Sequence, residues 1–297
     1  MQTLSIGVVG AGRVGAVLAA ALRQVPGYEI AAVAGESAAS RTRIETLLPG
    51  VRVDKPSAVA RSCDLLLLTV PDDMLPNVVA MLAASGAIRA GQFVVHTSGK
   101  HGLAVLDPAT ELGARALAIH PAMTFTGTDL DLSRLPGTVY GVTAAPDTRD
   151  LATRLVRDLG GTVVWVREEL RTLYHAGLAH GANHLVTLVA QAMELLSASG
   201  AENPAATLRP LLNAALDNAL TYGDAALTGP IVRGDVETVR AHLADITATA
   251  PGTLESYVAM ARATANRAMA DGRLLPIRAA KLIGILDEAM ARATQRA

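Results

Sequence analysis

Leu4-Ser5-Ile6-Gly7-Val8-Val9-Gly10-Ala11-Gly12-Arg13-Val14-Gly15 decides how the first half of the chain folds. Leu4 to Val9 is a short apolar run that ends on Gly10, the pattern of a buried strand. Ala16 to Leu22, rich in alanine and leucine, reads as the helix that follows. Between them stands G-x-G-x-x-G, a weak signal alone that gains meaning from the strand before it and the helix after it. Gly10 allows a tight turn, Gly12 lets a pyrophosphate approach the backbone, and Gly15 lets helix and strand pack closely. Free amides at the helix start attract that anion. Gly10, Gly12, Arg13, Val14 and Gly15 are therefore expected to hold a dinucleotide. A glycine-rich turn with no ligand is the competing reading.

The end of the second strand, Ala34-Gly35-Glu36-Ser37, bears on the cofactor. An acid there holds the ribose hydroxyls of NAD, whereas basic and hydroxyl groups hold the extra phosphate of NADP. Glu36 speaks for NAD unless it is a solvated loop acid; Ser37, Ser40, Arg41 and Arg43 speak for NADP. NADP is favoured, with Ser37 and Arg41 near its phosphate, and NAD stays open. Thr69-Val70-Pro71-Asp72-Asp73 ends another strand, so Val70 and Pro71 are expected to line the cofactor. The same stretch also reads as a proline turn with an aspartate capping the next helix.

Outward from this turn, strand and helix signals alternate. Strands are expected at Glu29–Ala34, Leu65–Val70, Gln92–His96, Arg115–Ile119, Gly137–Thr143 and Thr162–Val166, with a short one at Val51–Val53. Helices fit Met74–Ser85, Leu103–Leu112 and Thr148–Leu159. This alternation predicts an α/β fold, a Rossmann doubly wound, mostly parallel sheet. After Val166 no strand signal remains. Helices fit residues 168–199, 204–223, 235–249, 253–271 and 276–294, an all-α C-terminal domain. The expected organisation is a dinucleotide-binding domain at 1–166 and a helical substrate and dimerisation domain at 167–297.

Composition agrees with two globular domains in 297 residues: 51% hydrophobic and 18% charged. The net charge of −1 suggests neither a nucleic-acid nor an anionic-membrane partner. The single cysteine, Cys63, excludes an intramolecular disulfide framework and reads as a buried, inert thiol. The N-terminus lacks the basic start and cleavage site of a signal peptide, so the cytoplasm is the expected location.

Two further strand ends should open on the cofactor's crevice. Val95-His96-Thr97-Ser98-Gly99 offers Ser98 and the Gly99 amide for a carboxylate or carbonyl oxygen, while His96 reads as a satisfied strand-end histidine. Ile119-His120-Pro121 places His120 at the mouth, either lining the site or packing. The helix after Arg167 carries Tyr174, His175, His180, Asn183 and His184. His180 and His184 are one turn apart but lack an evident third ligand, so no metal site is expected. Acid–base work suits a histidine. Thr228-Gly229-Pro230-Ile231-Val232-Arg233-Gly234-Asp235 is a glycine-bounded turn. Its Asp235 caps the next helix, and its Arg233 suits capture of a carboxylate or phosphate.

Together these motifs resemble a bacterial family with a Rossmann domain and a helical C-terminal domain, catalogued as of unknown function. The resemblance rests on Gly10-x-Gly12-x-x-Gly15, His96-Thr97-Ser98-Gly99, His120-Pro121, Tyr174-His175 with Asn183, and Thr228-Gly229-Pro230 through Arg233-Gly234-Asp235. The family looks like a branch of the 6-phosphogluconate and β-hydroxyacid dehydrogenase superfamily that includes ketopantoate reductase-like proteins. It implies NAD(P)-dependent reduction of a small keto acid and a homodimer joined through the helical domains. That superfamily often carries a lysine one turn before the helix asparagine; here the slot is Ala179, and no lysine lies between Lys100 and Lys281. The expected catalytic residues are therefore His175, Asn183 and His120, with Ser98, Gly99 and Arg233 binding a small carboxylate substrate. An imine substrate, or a dinucleotide-binding sensor without chemistry, are the alternatives.

Overall fold

The computed structural model describes residues 3–295. The chain forms two compact units, Met1–Gly181 and Ala182–Ala297. The first is built on strands β1 (Leu4–Val9), β2 (Tyr28–Ala34), β3 (Leu65–Leu68), β4 (Phe93–His96), β5 (Arg115–Pro121), β6 (Val139–Ala144) and β7 (Thr162–Trp165). They form one sheet in the order β2-β1-β3-β4-β5-β6-β7, parallel throughout except that β6 runs antiparallel to β5. The expected strand at Val51–Val53 is only an isolated parallel bridge from Val53 to Val33. Gly50 and Pro56 bracket that segment too closely for a longer ladder.

Helices cover both faces, as a parallel sheet requires. They are α1 (Arg13–Arg23), α2 (Ala38–Leu47), α3 (Pro56–Arg61), α4 (Leu75–Ala84), α5 (Asp107–Thr110), α6 (Leu130–Arg134) and α7 (Arg149–Asp158). The run of leucines in β3 divides by the strand's period of two. Leu65 and Leu67 join Ile6, Val8, Val95 and Leu117 in one core, with Val17 of α1 and Leu155 of α7. Leu66 and Leu68 join Val9 and Val94 in the other, with Val59 of α3 and Val79 of α4. Cys63 lies in this second core, where burial pushes its thiol up to about 11.

Two expected helices take a different form. Leu103–Leu112 is a 3-10 turn, Ala104–Leu106, running into the one-turn α5. The Glu168 carboxylate accepts from the Leu103 and Ala104 amides at 2.7 and 3.1 Å, so a side chain satisfies donors at the start of this short turn. The single helix expected over 168–199 is a 3-10 turn (Glu168–Leu170), then α8 (Arg171–Leu178), a π turn (Ala179–Asn183) and α9 (His184–Ala198). Gly181, a weak helix former, lies inside the π turn.

The second unit adds α10 (Pro204–Tyr222), α11 (Pro230–Arg233), α12 (Val236–Thr249), α13 (Leu254–Ala270) and α14 (Pro276–Thr294). Its core gathers Val239, Leu243, Leu254, Val258, Leu282 and Leu286. Asp235 caps α12 as expected, accepting from the Thr238 amide at 3.1 Å and its hydroxyl at 2.7 Å. Among the described residues, no helix is long and apolar enough to cross a membrane.

Candidate functional site

The glycine turn between β1 and α1 has the geometry its sequence demands. Gly10 has φ +98°, and a Cβ there would lie 2.8 Å from the Thr69 carbonyl carbon and the Val70 nitrogen. Only glycine adopts that conformation in so close an approach without strain. A methyl on Gly15 would overlap the Thr69 hydroxyl. That hydroxyl donates to the Gly10 carbonyl at 2.6 Å, so the loop after β3 is stitched to the glycine turn. At Gly12 the nearest atom to an added Cβ is the Gly10 carbonyl oxygen, 3.8 Å away. Gly12 is also the N-cap of α1 and supplies no side chain to its first turn. The result is an open cradle at a helix N-terminus, which fits the pyrophosphate of a dinucleotide. The aspartate cap expected after Val70-Pro71 does not form: Met74 occupies the N-cap of α4 without a side-chain bond. The Asp72 carbonyl instead accepts from His101 Nε2 at 3.0 Å.

Ser37 serves as the N-cap of α2, accepting from the Ser40 amide at 3.1 Å and donating to its hydroxyl at 2.9 Å. Arg41 is exposed in the first turn of that helix. Arg43 and Arg13 converge on Gly127: a Cβ there would lie 2.6 Å from Arg43 Nε and 2.9 Å from Arg13 Cγ. The loop carrying Gly127 is held by the buried Asp131 carboxylate, which accepts from the Thr126 and Gly127 amides at 2.8 and 2.7 Å. Sequence order gives no hint of this loop, because residue 127 reaches residues 13 and 43 only through the sheet.

The loop after β4 and the end of β5 meet α8. Its ring over Gly99, His175 has Cδ2 2.5 Å from where a Gly99 Cβ would stand, with His120 Nε2 at 3.0 Å. The His120 and His175 rings pack edge to face at 5.9 Å. His120 Nδ1 and the Tyr174 hydroxyl share a hydrogen bond at 3.1 Å. Burial, with help from the Arg171 and His175 charges, lowers the His120 pKa to about 4, so its imidazole is neutral near pH 7. His96 is fully buried, accepting from the Ser98 amide at 3.2 Å and bonded through Nε2 to the Gly102 carbonyl at 2.8 Å. It is the satisfied strand-end histidine its sequence position suggests. Ser98 is buried, and its hydroxyl accepts from the His101 amide at 3.1 Å.

The residue sequence reading missed is Arg171. Its side chain is 1% exposed, yet no carboxylate pairs with it among the described residues. It donates to the Ser98 carbonyl at 2.6 Å, Thr143 Oγ1 at 3.0 Å and the Gly141 carbonyl at 3.4 Å. Its buried Nε has no partner. Nothing in the string Arg167 to Arg171 separates this arginine from the exposed Arg167, because burial is decided by β6 and the β4 loop.

Ser98, Gly99, His120 and His175 are thus brought together within the first unit. Asn183 closes the π turn and Arg233 ends α11; both are exposed and belong to the second unit. The π turn coincides with the slot at Ala179, and such turns are frequent at functional sites.

Residues 1–121 match the model of a Rossmann-like domain, and residues 138–264 match a domain of unknown function, DUF2520. No curated protein matches the sequence. Among solved structures, a candidate NADP oxidoreductase from Bacteroides fragilis is similar at 19% identity and TM-score 0.75, over 89% of this chain and 98% of that one. A 1-pyrroline-5-carboxylate reductase from Streptococcus pyogenes is similar at 17% identity and TM-score 0.60, over 90% and 98%. An imine reductase from Streptomyces aurantiacus is similar at 18% identity and TM-score 0.58, over 98% and 95%. At these identities the likeness is one of fold. The chain thus resembles, in two separate stretches, a Rossmann-like domain and the DUF2520 domain of unknown function.

Proposed function

We propose that the chain is an NADPH-dependent reductase of a small 2-oxo acid, with 2-dehydropantoate (ketopantoate) the first substrate to test. One observation carries this reading: Gly99, His120, Tyr174 and His175 cluster at the carboxyl ends of β4 and β5, the sheet edge that also carries the glycine turn. In open parallel sheets that edge is where ligands bind. A nicotinamide dinucleotide supplies the hydride when bound. The chain's own groups then have to position the carbonyl and hand a proton to its oxygen. His175 is the proposed proton donor, and neutral His120, bonded to Tyr174, sets the ring against which His175 packs. Ser98 and Gly99 bind the substrate's oxygens. Arg13, Val14, Ser37, Arg41, Val70 and Pro71 complete the cofactor's contacts. Arg13 and Arg43, whose side chains lie beside Gly127, support NADP over NAD.

The test follows NADPH absorbance across a panel of 2-oxo acids and imines. Oxidation with a 2-oxo acid is the expected result. Tight NADPH binding with no oxidation by any member of the panel would instead fit a sensor or scaffold. An imine is the second reading, favoured by the fold shared with pyrroline-5-carboxylate and imine reductases. Arg43→Ala is expected to weaken NADPH binding more than NADH binding, which fluorescence titration of both cofactors checks.

A homodimer through the helical domain is part of the proposal. No residue of α9 is buried, and Leu208 is the only buried residue of α10. Leu211, Leu220 and Tyr222 stand 64%, 78% and 64% exposed, a surface that calls for a partner. The proposed location is the cytoplasm, with no nucleic-acid or membrane partner.

A further inference from the structure

The Ser98–Gly99 peptide has one end committed and the other free. Its carbonyl accepts from the buried Arg171 guanidinium at 2.6 Å. No peptide bond in the described chain is cis. In a planar trans peptide the N–H points opposite to the C=O, so the Gly99 N–H is turned away from the arginine. Gly99 is buried, and its N–H has no acceptor among the described residues. Unpaired buried N–H groups are rare, so this donor is available to an incoming acceptor. A Cβ at Gly99 would strike the His175 ring, so only glycine leaves this amide beside the histidine pair.

The group on the carbonyl side of this peptide is itself incompletely partnered. A buried arginine keeps its proton, and a charge out of water requires a partner. Arg171 has hydrogen-bond acceptors but no carboxylate, and its Nε has no partner at all. The Glu168 and Asp72 carboxylates act on it only through space, without an ion-pair contact. A cation on the carbonyl side of a peptide also polarises that peptide, strengthening its N–H as a donor.

We propose that Arg171 is a positioning residue that fixes and polarises the Ser98–Gly99 peptide so that the Gly99 N–H binds a carboxylate oxygen of the substrate. Arg171 acts through the peptide rather than by touching the ligand. The inference rests on the proposed substrate class and adds a reason for it: the buried guanidinium behind this peptide has no carboxylate in direct contact among the described residues.

The experiment uses the full chain saturated with NADPH and two unreactive probes of equal size, anionic oxamate and neutral oxamide. Calorimetry is expected to show oxamate binding at least about tenfold tighter than oxamide, the scale of one screened charge interaction. Arg171→Met is expected to abolish that preference, and Arg171→Lys to retain part of it, with NADPH binding kept in both. Should the methionine variant fail to fold, amide NMR of the wild type decides: the Gly99 proton resonance moves downfield with oxamate and not with oxamide. Equal binding of the two probes, no binding of either, an unmoved Gly99 amide, or a folded methionine variant that keeps the preference would each overturn the proposal. Oxamate preference without NADPH oxidation by any 2-oxo acid would sink the reductase reading alone. Turnover of a 2-oxo acid with no preference for the anion would sink this inference alone.

Discussion

His175 and His120 share one contact but have different chemistry. His120 is bonded to Tyr174 and is neutral down to about pH 4, so it cannot carry a transferable proton near neutrality. His175 is half-buried over Gly99. His175→Ala is expected to reduce turnover by about 100-fold, within the range of a general acid, and to leave NADPH affinity nearly unchanged. Steady-state rates beside a cofactor titration check this; unaltered turnover would remove His175 from the mechanism. His96 makes a prediction about stability instead. Burial lowers its pKa from 6.5 to about 4, so between those values the unfolded chain binds more protons than the folded one. Stability conferred by the neutral buried ring is therefore complete above pH 6.5 and lost as pH falls toward 4. The slope is about 1.4 kcal/mol per pH unit for such a group. His96→Gln is expected to flatten the acid limb by about that amount, measured by urea unfolding at pH 7 and pH 5.

At the scale of elements, the β1–α1 turn and the loop after β3 act as one piece, because Thr69 bonds to the Gly10 carbonyl in the space Gly15 leaves clear. Gly15→Ala is expected to cost about 1–3 kcal/mol of stability, as overpacking does, and to weaken NADPH binding. Thermal unfolding and cofactor titration read both effects. The π turn is the element whose type the sequence did not disclose. Apolar spacing over 168–199 fits an α-helix, and a π turn keeps most of that spacing while changing the hydrogen-bond ladder locally. The short α5 shows the reverse. Its apolar residues suggested a longer helix, but Glu168, sixty-four residues from Ala104, ties down its approach.

At the scale of the whole molecule, the exposed apolar side chains of α9 and α10 set an expectation about assembly. Val186, Leu211 and Leu220 are 71%, 64% and 78% exposed. Sedimentation is expected to give twice the chain mass, and Leu220→Glu to shift the population toward monomer at micromolar concentration. A wild-type chain that sediments as a monomer would refute the dimer.

The glycine turn, the alternation of strands and helices and the change to an all-helical half were legible from residue order. Each follows from local rules: a φ only glycine tolerates, a period of two against a period of 3.6, and caps such as Asp235. Residue order also drew attention to Ser98, Gly99, His120 and His175. It did not distinguish Arg171 from its neighbours, nor place Gly127 beside Arg13 and Arg43. It could not say that β6 runs antiparallel to β5. Those facts arise from contacts between residues far apart in sequence. A guanidinium becomes buried, or an amide is left waiting for an acceptor, only once the sheet has brought the loop after β4, the middle of β6 and the start of α8 together.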